Sequence, residues 1–160
     1  MSGLIDKVAQ PHSQEAEEAI LGCILLKSEL YSEAKEFIPN TEVFYFDTSR
    51  IVWHKIKELA KNHKEIDPIS ILALLNREEK TIVTGYYLTG LCSNIATTST
   101  IQTYCNIVLE KYLQRELIAA TYKIQKSAFE NNEEFDSLLK FIKKTTDELT
   151  ALTPNKDPSL

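Results

Sequence analysis

The sequence predicts an all-α protein in which a compact helical head precedes a long antiparallel helical hairpin. Residues 98–129 contain no Gly or Pro and repeat apolar side chains at helical spacing, which indicates one unusually long helix. A short polar break at 130–134 separates this helix from a second apolar stripe, so the two helices should lie antiparallel. Runs of Val, Ile and Thr that alternate over the length of a strand are absent from the chain.

The long helix is expected to begin with a capping box, formed by Ser99 and by Gln102 three residues later. Its apolar side chains form three rows rather than one stripe, and Lys111, Arg115 and Lys123 interrupt them. One apolar face is therefore expected to pack within the chain and another against a second chain; the alternative is a central helix buried on all sides in a bundle. The rows are Ile101, Tyr104, Cys105, Val108 and Tyr112; Leu109, Leu113, Leu117, Ala120, Ile124 and Ala128; and Ile107, Ile118, Tyr122 and Phe129.

The second hairpin helix is predicted to start at the acidic break, where Asn131 and Glu134 can cap it, and to end by Pro154. Its apolar stripe has near-heptad spacing, which is typical of a helix that packs along another helix. The stripe comprises Phe135, Leu138, Leu139, Ile142, Thr145, Leu149 and Leu152. Seven hairpin residues are predicted to mediate self-association: Leu109, Leu113, Leu117, Tyr122, Leu138, Ile142 and Leu149.

Short helices are predicted to form the head. Ser13 is expected to cap the first of them, and Gly22 within that helix indicates that a neighbouring element packs closely there. A second helix is expected over 28–38, followed by an aromatic cluster at 43–46.

The next two head helices are expected to begin at acidic residues. Asp47, with Thr48 or Ser49, can cap the third helix. Asp67-Pro68 is a strong start signal for the fourth, because a capping side chain precedes the proline that the first turn favours.

Polar stretches suggest the loop and domain boundaries. Residues 76–84 are predicted to be a polar loop, and 85–91 a short helical or turn element that leads to the long helix. The expected organisation is a flexible leader at 1–10, the helical head at 11–97 and the hairpin at 98–153.

Composition excludes several classes of protein. No run approaches the roughly 20 apolar residues of a membrane span, and the leader lacks a signal-peptide pattern, so a cytoplasmic location is expected. Cys23, Cys92 and Cys105 are odd in number and lie in apolar contexts, which indicates buried free thiols in a reducing compartment. The net charge of −5 argues against an electrostatic grip on nucleic acid by the whole domain, and it leaves a local basic patch open.

A search for catalytic chemistry finds no site. The four glycines are not clustered, so neither a phosphate-binding loop nor a dinucleotide fingerprint is present. His12, His54 and His63 have no second His or Cys at metal-ligand spacing. No catalytic, cofactor-binding or metal-binding residue is therefore predicted, and the chain is not expected to be a complete enzyme.

An ordered set of residues resembles the amino-terminal domain of bacterial and phage replicative DNA helicases of the DnaB type. The resemblance covers residues 10–152, and it departs from the family pattern at His12, where glutamine is commoner, and at 46–50, where a histidine usually precedes the arginine. The matching residues are Pro11-His12-Ser13 with Glu15, Ala16, Glu17, Ala19, Ile20, Leu21 and Gly22; Phe44-Tyr45; Ile51-Val52-Trp53 with Ile56 and Leu59; Ile66-Asp67 with Ile71 and Leu75; Tyr87-Leu88 with Leu91; Tyr104 with Ile107-Val108; and Arg115-Glu116-Leu117-Ile118.

The resemblance implies a fold and a set of partners. In that family a helical head precedes a hairpin, hairpins pair between subunits, and the pairs form a collar, a trimer of dimers, on a hexameric motor ring. Residues 154–160 would begin the linker to that motor, which binds ATP and Mg²⁺ and is absent here, so this chain is a piece of a longer protein or a motorless relative. DNA is expected to contact the protein only through the parent ring.

The resemblance also implies a non-catalytic function, namely ring assembly and the docking of primase. The primase-linked positions that find a match are Tyr87 in the head and Ile118 and Ile124 in the long helix; a place in the structural core is the alternative for both isoleucines. A second possible partner is a helicase loader. The alternative function is a free-standing loader or adaptor that uses the same hairpin, and a nucleic-acid-binding module is a third class that the net charge disfavours.

Overall fold

The computed structural model describes residues 9–95, 97–130 and 134–153, and within them it confirms the all-α prediction. These residues form eight α-helices and one short 3-10 helix, with no strand. Most of the predicted leader, the linker at 154–160 and the capping residue Asn131 lie outside the described residues. The helices are α1 (Gln14–Leu26), α2 (Leu30–Phe37), the 3-10 helix (Thr41–Val43), α3 (Asp47–Lys61), α4 (Pro68–Leu74), α5 (Glu79–Ile82), α6 (Gly85–Ser93), α7 (Ile101–Glu130) and α8 (Phe135–Leu152).

The chain divides into two compact units. The head unit comprises residues 12–109 and includes the first turns of α7; the hairpin unit comprises the rest of α7, α8 and the segment that ends at Pro11. Among the described helices none is long and apolar enough to cross a membrane.

Apolar residues from six helices and the aromatic segment form the core of the head. Phe44 and Trp53 lie at its centre with their ring centroids 5.3 Å apart, and Tyr31 packs against the same indole at 5.5 Å. The other fully buried side chains include Ile20, Leu21, Ile24, Val43, Val52, Ile56, Ile71, Leu88 and Ile101.

Two predicted helix starts are confirmed. The Ser13 hydroxyl caps α1 by accepting a hydrogen bond from the Ala16 amide at 3.3 Å. The Asp67 carboxylate caps α4 by accepting from the amides of Ile69 and Ser70 at 2.8 and 3.0 Å, and Pro68 occupies the first turn. A hydrogen bond from the Ser70 hydroxyl, together with these amides, lowers the pKa of Asp67.

The start of α3 differs from the prediction that Asp47, with Thr48 or Ser49, caps this helix. Phe46 occupies the capping position and supplies no side-chain hydrogen bond. The carboxylate of Glu17 in α1, which is almost fully buried, instead accepts hydrogen bonds from the amides of Tyr45 and Phe46, at 2.7 and 3.3 Å. An anionic group at a helix amino terminus is stabilised by the free amides and by the helix dipole.

The predicted polar loop at 76–84 is also wrong, because it contains the one-turn helix α5. Asn76 and Glu79 cap one another: the Asn76 amide donates to Glu79 Oε2 at 2.8 Å, and the Glu79 amide donates to Asn76 Oδ1 at 2.9 Å. Lys55 Nζ lies 3.0 Å from Glu79 Oε1 and fixes this turn to α3. The hydrogen bond from Asn76, followed by the interaction with Lys55, lowers the pKa of Glu79. Four residues are too few for an apolar periodicity, so the pattern could not reveal this helix.

The capping box predicted for α7 does not form. The helix begins at Ile101, after a turn in which Ser99 and Thr97 pair their hydroxyls at 2.9 Å. The amides of Thr103 and Tyr104 donate to the Thr100 carbonyl at 3.0 and 3.3 Å, so Thr100 takes the capping position and the helix starts one residue later than a Ser99 cap predicts.

The prediction of close packing at Gly22 is confirmed. A Cβ atom at this position would lie 2.8 Å from Ile95 Cγ1 and closer still to the Leu91 carbonyl oxygen. Real Cβ atoms essentially never approach a neighbour so closely. The end of α6 therefore rests on the backbone of α1, and only glycine permits this approach.

The hairpin unit buries less apolar surface than the head. Ala120 of α7 and Leu138 of α8 are buried, and the Lys123 ammonium lies 4.3 Å from the centroid of the Phe141 ring, so the two helices are also joined by a cation–π contact. Elsewhere in the hairpin unit, Arg115 Nη1 of α7 donates a hydrogen bond to the Pro11 carbonyl at 2.8 Å.

We predict that Glu17→Ala lowers the free energy of unfolding by about 2 to 3 kcal/mol, because two amides at the start of α3 lose a charged hydrogen-bond partner. Glu15→Ala, on an exposed position of the same helix turn, should change it by less than about 0.5 kcal/mol. Urea titration followed by circular dichroism measures both values. Equal unfolding midpoints for the two variants would contradict the capping role of Glu17.

We predict that Gly22→Ala and Gly90→Ala have opposite effects on stability. Both glycines are helical, and replacing an unhindered one with Ala should stabilise the protein by about 0.5 to 1 kcal/mol. Gly90 has nothing within 4 Å of a built Cβ and should show this gain. Gly22→Ala should instead destabilise by about 1 to 3 kcal/mol, because its methyl group collides with Leu91 and Ile95. Thermal melts of the two variants test the sign, and stabilisation by both would show that α6 can move away.

Candidate functional site

Several large apolar side chains of the hairpin are exposed in the part of the chain that the structure describes. Leu117 and Tyr122 of α7 are 53% and 52% exposed, and Phe129 near its end is 90% exposed. Phe135 and Leu139 on α8 are also exposed. The alternative of a long helix buried on all sides is therefore wrong for this chain.

The predicted self-association residues divide into three groups by burial. Leu109 and Leu138 are buried, so they pack within the chain. Leu113, Ile142 and Leu149 are half-buried. Leu117 and Tyr122 are exposed and are the members of the set with the most surface to offer a second molecule.

The structure adds four exposed apolar residues that the predicted set omits: Ile107, Phe129, Phe135 and Leu139. Ile107 and Phe129 belong to the third apolar row of α7, and Phe135 and Leu139 belong to the stripe of α8. The signal was therefore visible in the sequence, but periodicity does not tell which members of a row the chain itself covers.

A groove of about 610 Å³ runs between the two hairpin helices. Its floor is apolar and includes Ala120, Phe141 and Leu149, whereas Glu116, Lys123 and Glu148 bring charge to it. An apolar floor with charged groups beside it is a common arrangement in protein interfaces.

Tyr87 lies in α6 of the head and is half-buried. Its hydroxyl is buried and faces Thr48 and Ser49, although among the described residues neither it nor the Ser49 hydroxyl makes a hydrogen bond of standard geometry. Burial raises the pKa of Tyr87, so the phenol stays neutral. The ring therefore anchors one end in the head and leaves part of its surface open.

The neighbour of Tyr87 has the opposite environment. Tyr86 is 90% exposed, and both tyrosines line a shallow pocket of about 360 Å³ together with Glu18 and Asn94. This pocket belongs entirely to the head unit.

The other two predicted primase contacts lie in the hairpin unit. Ile118 and Ile124 of α7 are both half-buried, so each packs partly against the chain and leaves part of its side chain exposed. Ile118 lies one helical turn before the exposed Tyr122, within the third row. The predicted primase positions therefore belong to two separate units of the fold.

The thiols and histidines form no reactive arrangement within the described part of the chain. Cys23 and Cys105 are buried free thiols, and burial raises the pKa of Cys105 to about 12, so its reactive thiolate is suppressed. Cys92 differs from the prediction, because it is only half-buried. His12 stacks on Tyr45 at 4.6 Å, and no described group of three His, Cys, Asp or Glu residues is placed to hold a metal ion.

Most of the chain matches one protein-family model. The model described as "DnaB-like helicase N terminal domain" matches residues 9–110, which is more than half of the chain. The chain belongs to this family. The match includes the Ser13 cap, the buried Glu17, Gly22 and Tyr87.

Curated relatives agree with this membership. Replicative DNA helicase DnaB of Haemophilus influenzae is 33% identical over 121 residues, which cover 74% of this chain and 26% of the relative. Replicative DNA helicase DnaB of Geobacillus stearothermophilus is 30% identical over 141 residues, which cover 87% of this chain and 31% of the relative. The chain thus spans about a quarter to a third of the length of these relatives.

Solved structures show the same fold. The N-terminal domain of DnaB helicase from Mycobacterium tuberculosis superposes with a TM-score of 0.73 at 24% identity, covering 90% of this chain and 98% of that one. A DnaB-like replicative helicase, described with its interactions with primase, superposes with a TM-score of 0.66 at 24% identity, covering 91% of this chain and 32% of that one.

Proposed function

We propose that this chain is the amino-terminal domain of a replicative DNA helicase, and that it holds copies of the parent protein together and docks a primase. Family membership supports the first part, since the matched relatives are replicative DNA helicases. A structural neighbour that was solved with its interactions with primase supports the second. ATP-driven unwinding would reside in the parent protein outside this chain, which has no phosphate-binding loop.

The observation that carries the assembly proposal is the exposed apolar surface of the hairpin. Leu117, Tyr122 and Phe129 on α7 and Phe135 and Leu139 on α8 leave large apolar side chains in contact with water. Apolar surface gains about 25 cal/mol for each Å² removed from water. A second hairpin could cover these residues in an interface of standard size, about 800 Å² per partner. A dimer, or a hexamer built as a trimer of dimers in the parent protein, is the expected assembly.

The primase proposal rests on Tyr87 together with Ile118 and Ile124. Tyr87 is half-buried with its hydroxyl inside the head, so packing restricts the ring, and its open part offers contact area at little entropic cost. The half-buried isoleucines retain surface for a partner. The resemblance to the helicase family at these positions motivates the further proposal that primase contacts the head of one subunit and the hairpin of another.

The alternative of a free-standing loader or adaptor receives no support from the comparisons, because the reported relatives are helicases. We therefore propose a helicase loader only as a partner that binds the assembled protein, and not as the function of this chain.

We predict that Leu117→Glu and Tyr122→Glu each weaken self-association at least tenfold, or about 1.4 kcal/mol, because they place a charge in a surface that a second hairpin would bury. Both side chains are half-exposed in the single chain, so its helical content should persist. Sedimentation velocity over a range of protein concentrations measures the dimer. Lys140→Glu on the charged face of α8 is the matched control and should leave it intact. A wild-type chain that stays monomeric at high micromolar concentration would refute the assembly proposal.

We predict that Tyr87→Ala and Ile118→Ala each cost about 1 to 3 kcal/mol of primase binding, the range typical of interface hot spots. Tyr87→Phe keeps the ring and removes only the buried hydroxyl, so it should bind nearly as well as the wild type. Calorimetric titration with the carboxy-terminal domain of the cognate primase gives the affinities, and circular dichroism checks the fold. Full-strength binding by both alanine variants would refute the site; loss of binding together with loss of helix would place the residues in the core.

A further inference from the structure

The helices α2 and α3 of the head form a groove of about 560 Å³ whose charge is opposite to that of the chain. Its lining comprises Tyr31 and Lys35 from α2, and His54, Lys57, Glu58, Ala60 and Lys61 from α3. Three lysines against one glutamate make the lining positive even with a neutral histidine, whereas the whole chain carries a net charge of −5. The groove therefore offers a local attraction for anions that the overall composition conceals.

The groove lysines are available to a ligand. Lys35, Lys57 and Lys61 are exposed, and none of them forms an ion pair with another described residue. Lys55, on the inward side of the same helix, shows the contrast, because its ammonium is 3.0 Å from the Glu79 carboxylate. The outward lysines of α3 thus have no ion-pair partner among the described residues.

The spacing of these lysines suits a chain of separate negative charges. Lys57 and Lys61 are four residues apart in α3, so their side chains leave the helix about 5 to 6 Å from each other. Lys35 approaches the groove from the other wall. Two neighbouring charges on one wall and a third opposite can each meet a different phosphate of a flexible strand.

An aromatic ring lies among these charges. Tyr31 lines the groove and makes a tilted ring contact with Trp53, at a centroid distance of 5.5 Å and an interplanar angle of 52°. Proteins that bind single strands without sequence preference combine a basic groove with aromatic rings on which bases stack. An acidic protein segment would use the lysines but would have no need of the ring.

In contrast to the expectation that DNA contacts the protein only through the parent ring, we propose that this groove binds the backbone of single-stranded DNA, with Lys35, Lys57 and Lys61 against the phosphates and Tyr31 against a base. The choice of DNA as the anion rests on the proposed function in replication, whereas the charge and shape of the groove do not depend on it. Affinity is weak and sequence-independent, since three phosphate contacts and one stacking platform carry it.

The test measures binding of a fluorescein-labelled oligothymidylate to the 160-residue chain by fluorescence anisotropy at several salt concentrations. Three phosphate contacts predict that log K falls with log [salt] with a slope of about −2. Lys57→Ala/Lys61→Ala should reduce the slope to about −0.7 and, at about 0.1 M salt, lower the affinity roughly 25-fold. Lys140→Ala/Lys143→Ala removes the same charge from α8 and should change neither value.

A second variant separates stacking from charge. Tyr31→Leu keeps an apolar side chain against Trp53, so the head should stay folded. It should lower affinity about fivefold or more, within the range of one stacked base, and leave the salt slope unchanged. Polyglutamate serves as the competing anion.

Unchanged binding by the double lysine variant would overturn the proposal. Two results together would favour an acidic protein segment over nucleic acid as the ligand. Polyglutamate would displace the oligonucleotide at equal charge concentration, and Tyr31→Leu would leave the affinity unchanged. The same variants should keep wild-type self-association and primase binding. If the wild-type chain shows neither self-association nor primase binding, the proposed function is refuted. If only oligonucleotide binding fails, this inference alone is refuted.

Discussion

The head depends on one buried carboxylate. Glu17 leaves α1 on its inner side and accepts the amides of Tyr45 and Phe46, where α3 begins without a cap of its own. A buried charge is costly unless it is hydrogen-bonded, and buried backbone amides are costly unless they find an acceptor, so each group satisfies the other. The contact fixes both the position of α3 and the aromatic segment that leads into it.

α1 also fixes the position of α6, because Gly22 has no side chain that would keep the two helices apart. At Gly22 the end of α6 lies directly on the α1 backbone, and this close approach sets the position of the helix that carries Tyr87. α1 packs against α2, α3 and α6, and α3 in turn carries α4, α5 and the 3-10 helix. Two positions of α1 therefore fix its neighbours: the Glu17 carboxylate fixes the start of α3, and Gly22 fixes the end of α6.

The hairpin follows a different rule. Two helices side by side can bury only one stripe each, yet α7 carries three apolar rows. Residues such as Leu117 and Phe129 stay exposed as a consequence. The head closes its own core, whereas the hairpin keeps large apolar side chains in contact with water, and this asymmetry is the physical basis of the proposed assembly through the hairpin.

Local signals in the sequence determined most of the helices. The Ser13 and Asp67 caps and the apolar periodicity of α7 and α8 act within a few residues, so the all-α fold and the hairpin were predictable from them. The missed α5 was too short for periodicity, and its capping pair, Asn76 and Glu79, lay in a stretch whose first six residues are all polar.

Contacts between distant residues determined the rest. Glu17 reaches the start of α3 across 28 residues, and no local pattern distinguishes it from its solvent-exposed neighbour Glu15. Likewise, the lysines that make one basic groove come from α2 and α3, in a chain whose average charge is negative. The sequence by itself determined which segments are helical, because caps and periodicity are short-range properties. Only the tertiary structure decided which charges are buried, which apolar rows stay exposed and where cations gather, because those depend on which helices meet.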